Sequence, residues 1–196
     1  MYKIFKYSNH PTVDFAAEEL KKYLRMMMPR CGEIEITTDE RDGDGFVLAL
    51  SADIGIDLPE TDAPELDDVV VINTNERGGI IAASNPRALL IAIYEYLRQN
   101  GCEWLYPGVD GEFIPVIESL NTVNYRKMAD MRVRAQCNEG AEDQPNMLEA
   151  IEFTPKIGMN VFMVEFFLPR VYYKRYYEHE FNAENRAPEM VTDDQI

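Results

Sequence analysis

The stretch SNPRALLIAIYEYLRQNG, Ser84 to Gly101, constrains the fold more than any other part of the chain. Ser84 or Asn85 suits an N-cap because a short polar side chain accepts from the free amides of a first helical turn. Pro86 suits the first turn, where its missing N–H costs nothing, and Gly101 suits a C-terminal stop. Between these signals Leu89, Leu90, Ile93, Tyr96 and Leu97 recur at helical spacing, so the helix carries an apolar stripe that needs a surface to cover it. A second helix of the same kind starts at Pro11. Its inward stripe is Val13, Ala16, Ala17, Leu20, Leu24, Met27 and Met28, while Glu18, Glu19, Lys21, Lys22 and Arg25 face away. Pro29 and Gly32 end it, and the three methionines of RMMMPR read as core filling.

The surface for these stripes is a sheet. YKIFKY (Tyr2 to Tyr7), EIEIT (Glu33 to Thr37) and GFVLALS (Gly45 to Ser51) have strand character, the last two separated by the turn-rich DERDGDG. That acidic turn lacks the length and terminal glutamate of an EF-hand loop. The segment from Ala52 to Leu66 is a surface connection. DDVVVINTN and GGIIAAS then form two apolar strands joined through NERGG, a hairpin in which glycine supplies positive φ. Neither GxxxxGK[ST] nor GxGxxG surrounds the glycine pair, so it reads as a turn and not as a phosphate cradle. The expected class is α+β, a mostly antiparallel sheet covered by two helices.

Charge narrows the partners. The chain has 196 residues with 35 acidic against 19 basic side chains, a formal charge of -16, which repels phosphate backbones and anionic lipid. Nucleic acid and membrane are therefore not expected as partners, and no apolar run approaches the roughly 18 residues of a spanning helix. Cys31, Cys102 and Cys137 are widely spaced without a CxxC, and His10 and His179 are the only histidines. No disulfide framework, zinc-ligand spacing, organic cofactor or histidine-activated nucleophile is expected. The start, MYKIFKYSNH, lacks an apolar signal segment, and a reducing cytoplasm fits these features.

GCEWLYPGVDGEFIP, Gly101 to Pro115, holds the single tryptophan. Its rings suit either a ligand platform or a seal over the sheet end, and the position directly after a buried helix points to the seal. The longer run GGIIAASNPRALLIAIYEYLRQNGCEWLYPGVDGEFIP resembles the N-terminal α+β domain that precedes the catalytic barrel in family 20 β-N-acetylhexosaminidases and family 67 α-glucuronidases. There a glycine-rich hairpin leads to a Ser-Pro-Arg helix start, an aromatic-rich helix, Gly-Cys-Arg-Trp and Pro-Gly-x-x-Gly-Glu. This chain departs with Ala88 where glycine is common and Glu103 where arginine is common. The resemblance covers about residues 1–125 and implies a structural support for a neighbouring barrel.

Beyond it the pattern changes. MRVRAQ (Met131 to Gln136) reads as a strand, and QPNMLEAIEFTPKIG as a helix with Met147, Leu148, Ile151 and Ile157 inward, ended near Pro155. MNVFMVEFF reads as a strand buried on both faces. This βαβ unit resembles the opening of the family's (β/α)8 barrel. A closed barrel needs about 200 residues or more, so residues 126–196 are expected to form an incomplete one.

Barrel chemistry sits at the C-terminal strand ends, which makes Arg134, Gln136, Asn138, Glu139 and Glu165 candidates for the pocket. The resemblance implies that Arg134, or next Arg132, matches an arginine that binds sugar hydroxyls. Tyr172, with Tyr173, Tyr176 and Tyr177, offers faces for sugar stacking. The substrate-binding set is therefore Arg134, Asn138, Glu165 and Tyr172, each with the alternative of ordinary surface pairing or packing. Glycoside hydrolysis needs two carboxyl groups about 5–9.5 Å apart. Glu139, Glu142, Asp143 and Glu165 are abundant carboxylates without a pairing signal, so the acid and base are expected beyond Ile196, and residues 1–196 are expected to be inactive. The expected function is the N-terminal part of a glycoside hydrolase with a carbohydrate substrate, able to self-associate through the incomplete barrel segment. The alternative is a non-catalytic glycan-binding or assembly module.

Overall fold

The computed structural model describes residues 2–58, 61–138 and 144–164. Its elements run β1 (Tyr2–Lys6), α1 (Pro11–Met27), β2 (Ile34–Thr37), β3 (Gly45–Leu50), β4 (Val69–Asn75), β5 (Gly78–Ala83), α2 (Pro86–Gln99), β6 (Glu103–Trp104), β7 (Glu112–Phe113), β8 (Val123–Met128), β9 (Ala135–Asn138), α3 (Gln144–Lys156) and β10 (Val161–Val164). Residues Met1–Gln136 and Glu142–Phe162 form one compact unit, and Cys137–Ala141 with Met163–Ile196 the other. Of the second, only Cys137, Asn138, Met163 and Val164 are described.

The α+β class holds, with a six-stranded sheet ordered β2-β1-β3-β5-β4-β8. Its strand directions differ from the expectation. β1–β2, β1–β3 and β3–β5 are parallel, and only β4–β5 and β4–β8 are antiparallel. Alternation reveals a half-buried strand but not its direction. Here α1 is long enough to carry the chain back past the sheet, so β2 enters parallel to β1. β2 and β3 are not neighbours either, because β1 lies between them.

The β4–β5 hairpin forms as read from the sequence, with Asn75 Oδ1 accepting from the Arg77 N–H at 2.8 Å. Gly78 opens β5 at φ 127° opposite Gly45, and a Cβ there would collide with the Gly45 carbonyl. Glycine at this position thus allows two parallel backbones to approach as well as satisfying positive φ.

Both long helices cover one face of the sheet, burying the expected stripes. Val13, Leu20, Leu24 and Met27 of α1, with Leu89, Ile93, Tyr96 and Leu97 of α2, share one core with Ile4, Phe46, Leu48, Ile72 and Ile81. Each such side chain contributes about 1.5–3 kcal/mol by leaving water. Met27 and Met28 join this core, while Met26 is exposed. Asn85 caps α2 by accepting from the Ala88 N–H at 2.9 Å, and Gly101 leaves it at φ 95°.

Trp104 is a seal. It is buried, its indole N–H donates to the Tyr23 hydroxyl at 3.3 Å, and its ring meets Tyr23 and Tyr94 edge-on at 5.4 and 5.3 Å. Tyr106 does not share this position. It is 52% exposed, with its hydroxyl turned to the Asp110 carbonyl.

Several features beyond Pro115 depart from the sequence reading. The sheet gains a strand not read from the sequence, since β8 adds to the free edge of β4. β8 was illegible because an edge strand buries little. Val123 is its only fully buried residue, while Arg126 and Lys127 stay in solvent, charges that discourage edge pairing with other chains. The strand expected over Met131–Gln136 begins instead at Ala135 and ends at Asn138.

β9 and β10 pair with each other. The Arg134 carbonyl accepts from the Asn160 and Val161 amides at 2.9 and 3.2 Å. Their first residues therefore lie side by side, and the two strands run in the same direction. Leu148 and Ile151 of α3, expected inward, are exposed, and the helix buries Thr154 and Lys156 instead. Val161, Met163 and Val164 are likewise exposed, so β10 is not buried on both faces. No helix among the described residues is long and apolar enough to cross a membrane.

Candidate functional site

Within the larger unit, polar contacts concentrate at two nodes that hold Arg132, Arg134, Lys156 and Asn160 to the sheet and its helices. The first is Asp68, which directly precedes β4 and is 2% exposed. Its Oδ1 accepts from Arg87 Nε and Nη2 at 3.1 and 2.8 Å and from Asn85 Nδ2 at 3.2 Å. Its Oδ2 accepts from Arg134 Nη2 at 2.6 Å and Asn160 Nδ2 at 2.9 Å. Burial raises the carboxyl pKa, but the hydrogen bonds from Arg87, Arg134, Asn160 and Asn85 outweigh it and hold the value below the usual range. Beside it, Arg132 grips Asp67 through two nitrogens at 2.7 and 3.1 Å, and this fork, with the Thr61 hydroxyl, lowers the Asp67 pKa to about 2.

The second node is Glu112 at the start of β7. Its Oε1 accepts from the Tyr23 hydroxyl at 2.7 Å and from Lys156 Nζ at 2.6 Å. Burial opposes ionisation of Glu112, but the Lys156 ammonium and the Tyr23 hydroxyl stabilise the charge and leave the pKa lowered. Burial, with the neighbouring carboxylate, pushes the Tyr23 phenol well above its ordinary value. Arg98 Nη2 donates to the Lys156 carbonyl at 2.6 Å, so α2 also satisfies the C-terminal end of α3.

Each carboxylate at these nodes is paired with a cation, which leaves no free acid–base pair at either. Asp68 and Arg134 of the first node also line a cavity of about 410 Å³, together with Val70 and Tyr125 from the sheet, Glu95 from α2 and Pro155 near the end of α3. At its rim Lys127 pairs with Asp130 at 3.4 Å. No group of three or more His, Cys, Asp or Glu side chains among the described residues is arranged to hold a metal ion.

Of the substrate-binding candidates, Arg134 and Asn138 are described. Arg134 precedes β9, and its three guanidinium nitrogens reach Asp68, the Gly158 carbonyl at 2.8 Å and the Met131 carbonyl at 2.7 Å. Asn138 is the last residue of β9, at the opposite end of the strand. Gln136 meets the Thr154 hydroxyl at 3.2 Å. Glu165 and Tyr172 lie outside the described residues, as do Glu139, Glu142, Asp143 and the tyrosine-rich tail.

Sequence reasoning passed over Asp68, Asn160, Glu112 and Lys156. The available signal was two adjacent carboxylates, Asp67 and Asp68, at the mouth of a buried strand, where a charge that loses water needs a partner.

No family model matches the chain, and no curated protein matches it. Among solved structures it is similar to a GH138 enzyme targeting pectin rhamnogalacturonan II, with 16% identity and a TM-score of 0.40 over 69% of this chain and 16% of that one. It is also similar to the structure titled CpGH84D, with 12% identity and a TM-score of 0.46 over 90% of this chain and 31% of that one. Both neighbours are glycoside hydrolases, and the chain spans less than a third of either.

Proposed function

We propose that the chain is the N-terminal part of a cytoplasmic glycoside hydrolase: residues 1–125 are a non-catalytic support and residues 126–196 the opening of a (β/α)8 barrel. The glycan assignment rests on the family resemblance of the run from Gly78 to Pro115. One observation carries the support assignment. Asp68 binds the residues directly preceding both β9 and β10, so the α+β part grips the N-terminal ends of two co-directional strands. In such barrels that end serves stability, and chemistry occupies the other.

On this reading Arg134 is an anchor and not a sugar ligand. Asn138, with Glu165 and Tyr172, belongs to the sugar-facing end. The acid and base carboxyl groups come from later strands, beyond Ile196. A polypeptide of residues 1–196 and a longer one carrying the following βα units, assayed on N-acetylhexosaminides, glucuronides and pectic oligosaccharides, test this. Hydrolysis by the longer polypeptide alone is expected. Turnover by residues 1–196 would overturn the proposal, and tight glycan binding with no hydrolysis from either would favour the binding-module alternative.

Exposed Leu148, Ile151 and Val161 support self-association of residues 1–196, because uncovered apolar side chains favour contact with a second copy. The net negative charge supports neither nucleic acid nor an anionic membrane as partner.

A further inference from the structure

β9 and β10 have four residues each, and much of their side-chain surface is exposed. A strand pair of this kind has little to set its register. Register is ordinarily fixed by burial of one face, since a slip of one residue turns every side chain over. Here Ala135 is exposed, as are Val161, Met163 and Val164, so apart from the half-buried Phe162 a slip would cost little hydrophobic burial.

We infer that Asp68 is a positioning residue that sets the register of this pair, by holding Arg134 and Asn160 on the same carboxylate oxygen. Four observations converge on it. Arg134 Nη2 and Asn160 Nδ2 reach Oδ2 at 2.6 and 2.9 Å. The Asn160 side-chain oxygen accepts from the Arg134 N–H at 2.9 Å, and its Nδ2 also donates to the Arg132 carbonyl at 2.8 Å. The Arg134 carbonyl in turn accepts from the Asn160 and Val161 amides. Asp68 itself is immobilised by groups that belong to the large sheet and α2: Arg87 and Asn85 occupy Oδ1, and its own carbonyl accepts from the Ala129 N–H at 2.9 Å.

The anchor is thus held by groups that belong to neither strand of the pair. A slip of one residue at either strand would move Arg134 or Asn160 off Oδ2 and leave a buried carboxylate short of donors. Such a loss is expensive for a buried carboxylate. The register is therefore enforced more by polar contacts centred on Asp68 than by packing. This inference stands on geometry and is independent of the glycan reading.

Amide hydrogen exchange tests it. In Asp68→Asn the protection of the Asn160 and Val161 amides is expected to fall about tenfold or more, while amides of the β4–β5 pair change by less than about threefold. Equal loss in both places would mark Asp68 as an ordinary stabiliser and overturn the inference. Unchanged protection at Asn160 and Val161 would overturn it as well. If Asp68→Asn does not fold, Asn160→Ala leaves the Asp68–Arg87 pair intact and is expected to give the same local loss, and its failure to do so counts against the inference. The exchange pair Asp68→Asn with Asn160→Asp restores one carboxylate and one amide at the contact. It is expected to recover protection relative to Asn160→Asp alone, where two carboxylates face each other.

Discussion

Helices α1 and α2 bury their apolar stripes except for a half-buried Leu90, whereas α3 leaves Leu148 54% and Ile151 44% exposed. All three carry apolar residues at helical spacing. The first two share a core with the sheet, and α3 is fastened mainly through Lys156, Thr154 and the carbonyl that Arg98 caps. An amphipathic pattern therefore says that a face seeks cover, not that cover is at hand. The contrast also separates two kinds of adhesion. Apolar burial is non-directional and tolerates small shifts, while the Asp68 and Glu112 nodes fix particular atoms at particular distances.

The largest effects should come from the covered helices. Leu20→Ala is expected to cost about 3–5 kcal/mol by opening a cavity in a filled core, against less than about 1 kcal/mol for Leu148→Ala. Urea unfolding of the two variants measures this, and equal costs would abolish the distinction between the regions.

A somewhat smaller loss is expected at the ionic fastening. Lys156→Met strips the ammonium from Glu112 and should destabilise by about 3 kcal/mol, whereas Lys156→Met combined with Glu112→Leu should recover much of that loss. A double variant no better than the single one would show that the pair contributes more than the compensation of its own burial.

Acid provides the gentlest probe. Asp68 and Glu112 both have lowered pKa values in the folded protein. Their contribution is complete above the unfolded values, 3.8 and 4.5, and is lost as pH falls through the lower folded values. Thermal melts from pH 6 downward should be flat to about pH 5 and then decline. In Asp68→Asn the decline should be shallower, and an unaltered slope would remove Asp68 from the acid response.

Much of the fold was legible because its signals are local. Asn85, Pro86 and Gly101 punctuate α2 through contacts within a few residues of themselves, and the Trp104 seal follows from its place after a buried helix. Strand direction was hidden, since a period of two is the same read forwards or backwards. β8 was hidden because solvent accepts its outer side chains. At the candidate site, Arg134 stood out in the sequence through its place near a strand. Its partner Asp68 is 66 residues away, and no local pattern links the two.

The sequence alone determined that two capped amphipathic helices would cover one face of a sheet, because capping and periodicity act over a single turn or strand. Tertiary structure alone decided the mixed strand order, the late start of β9 and the pairing of Arg134 with Asp68. Those outcomes depend on which buried charge meets which donor. That is settled by desolvation at contacts between distant residues, where a carboxylate left without partners costs more than any local preference for helix or strand can recover.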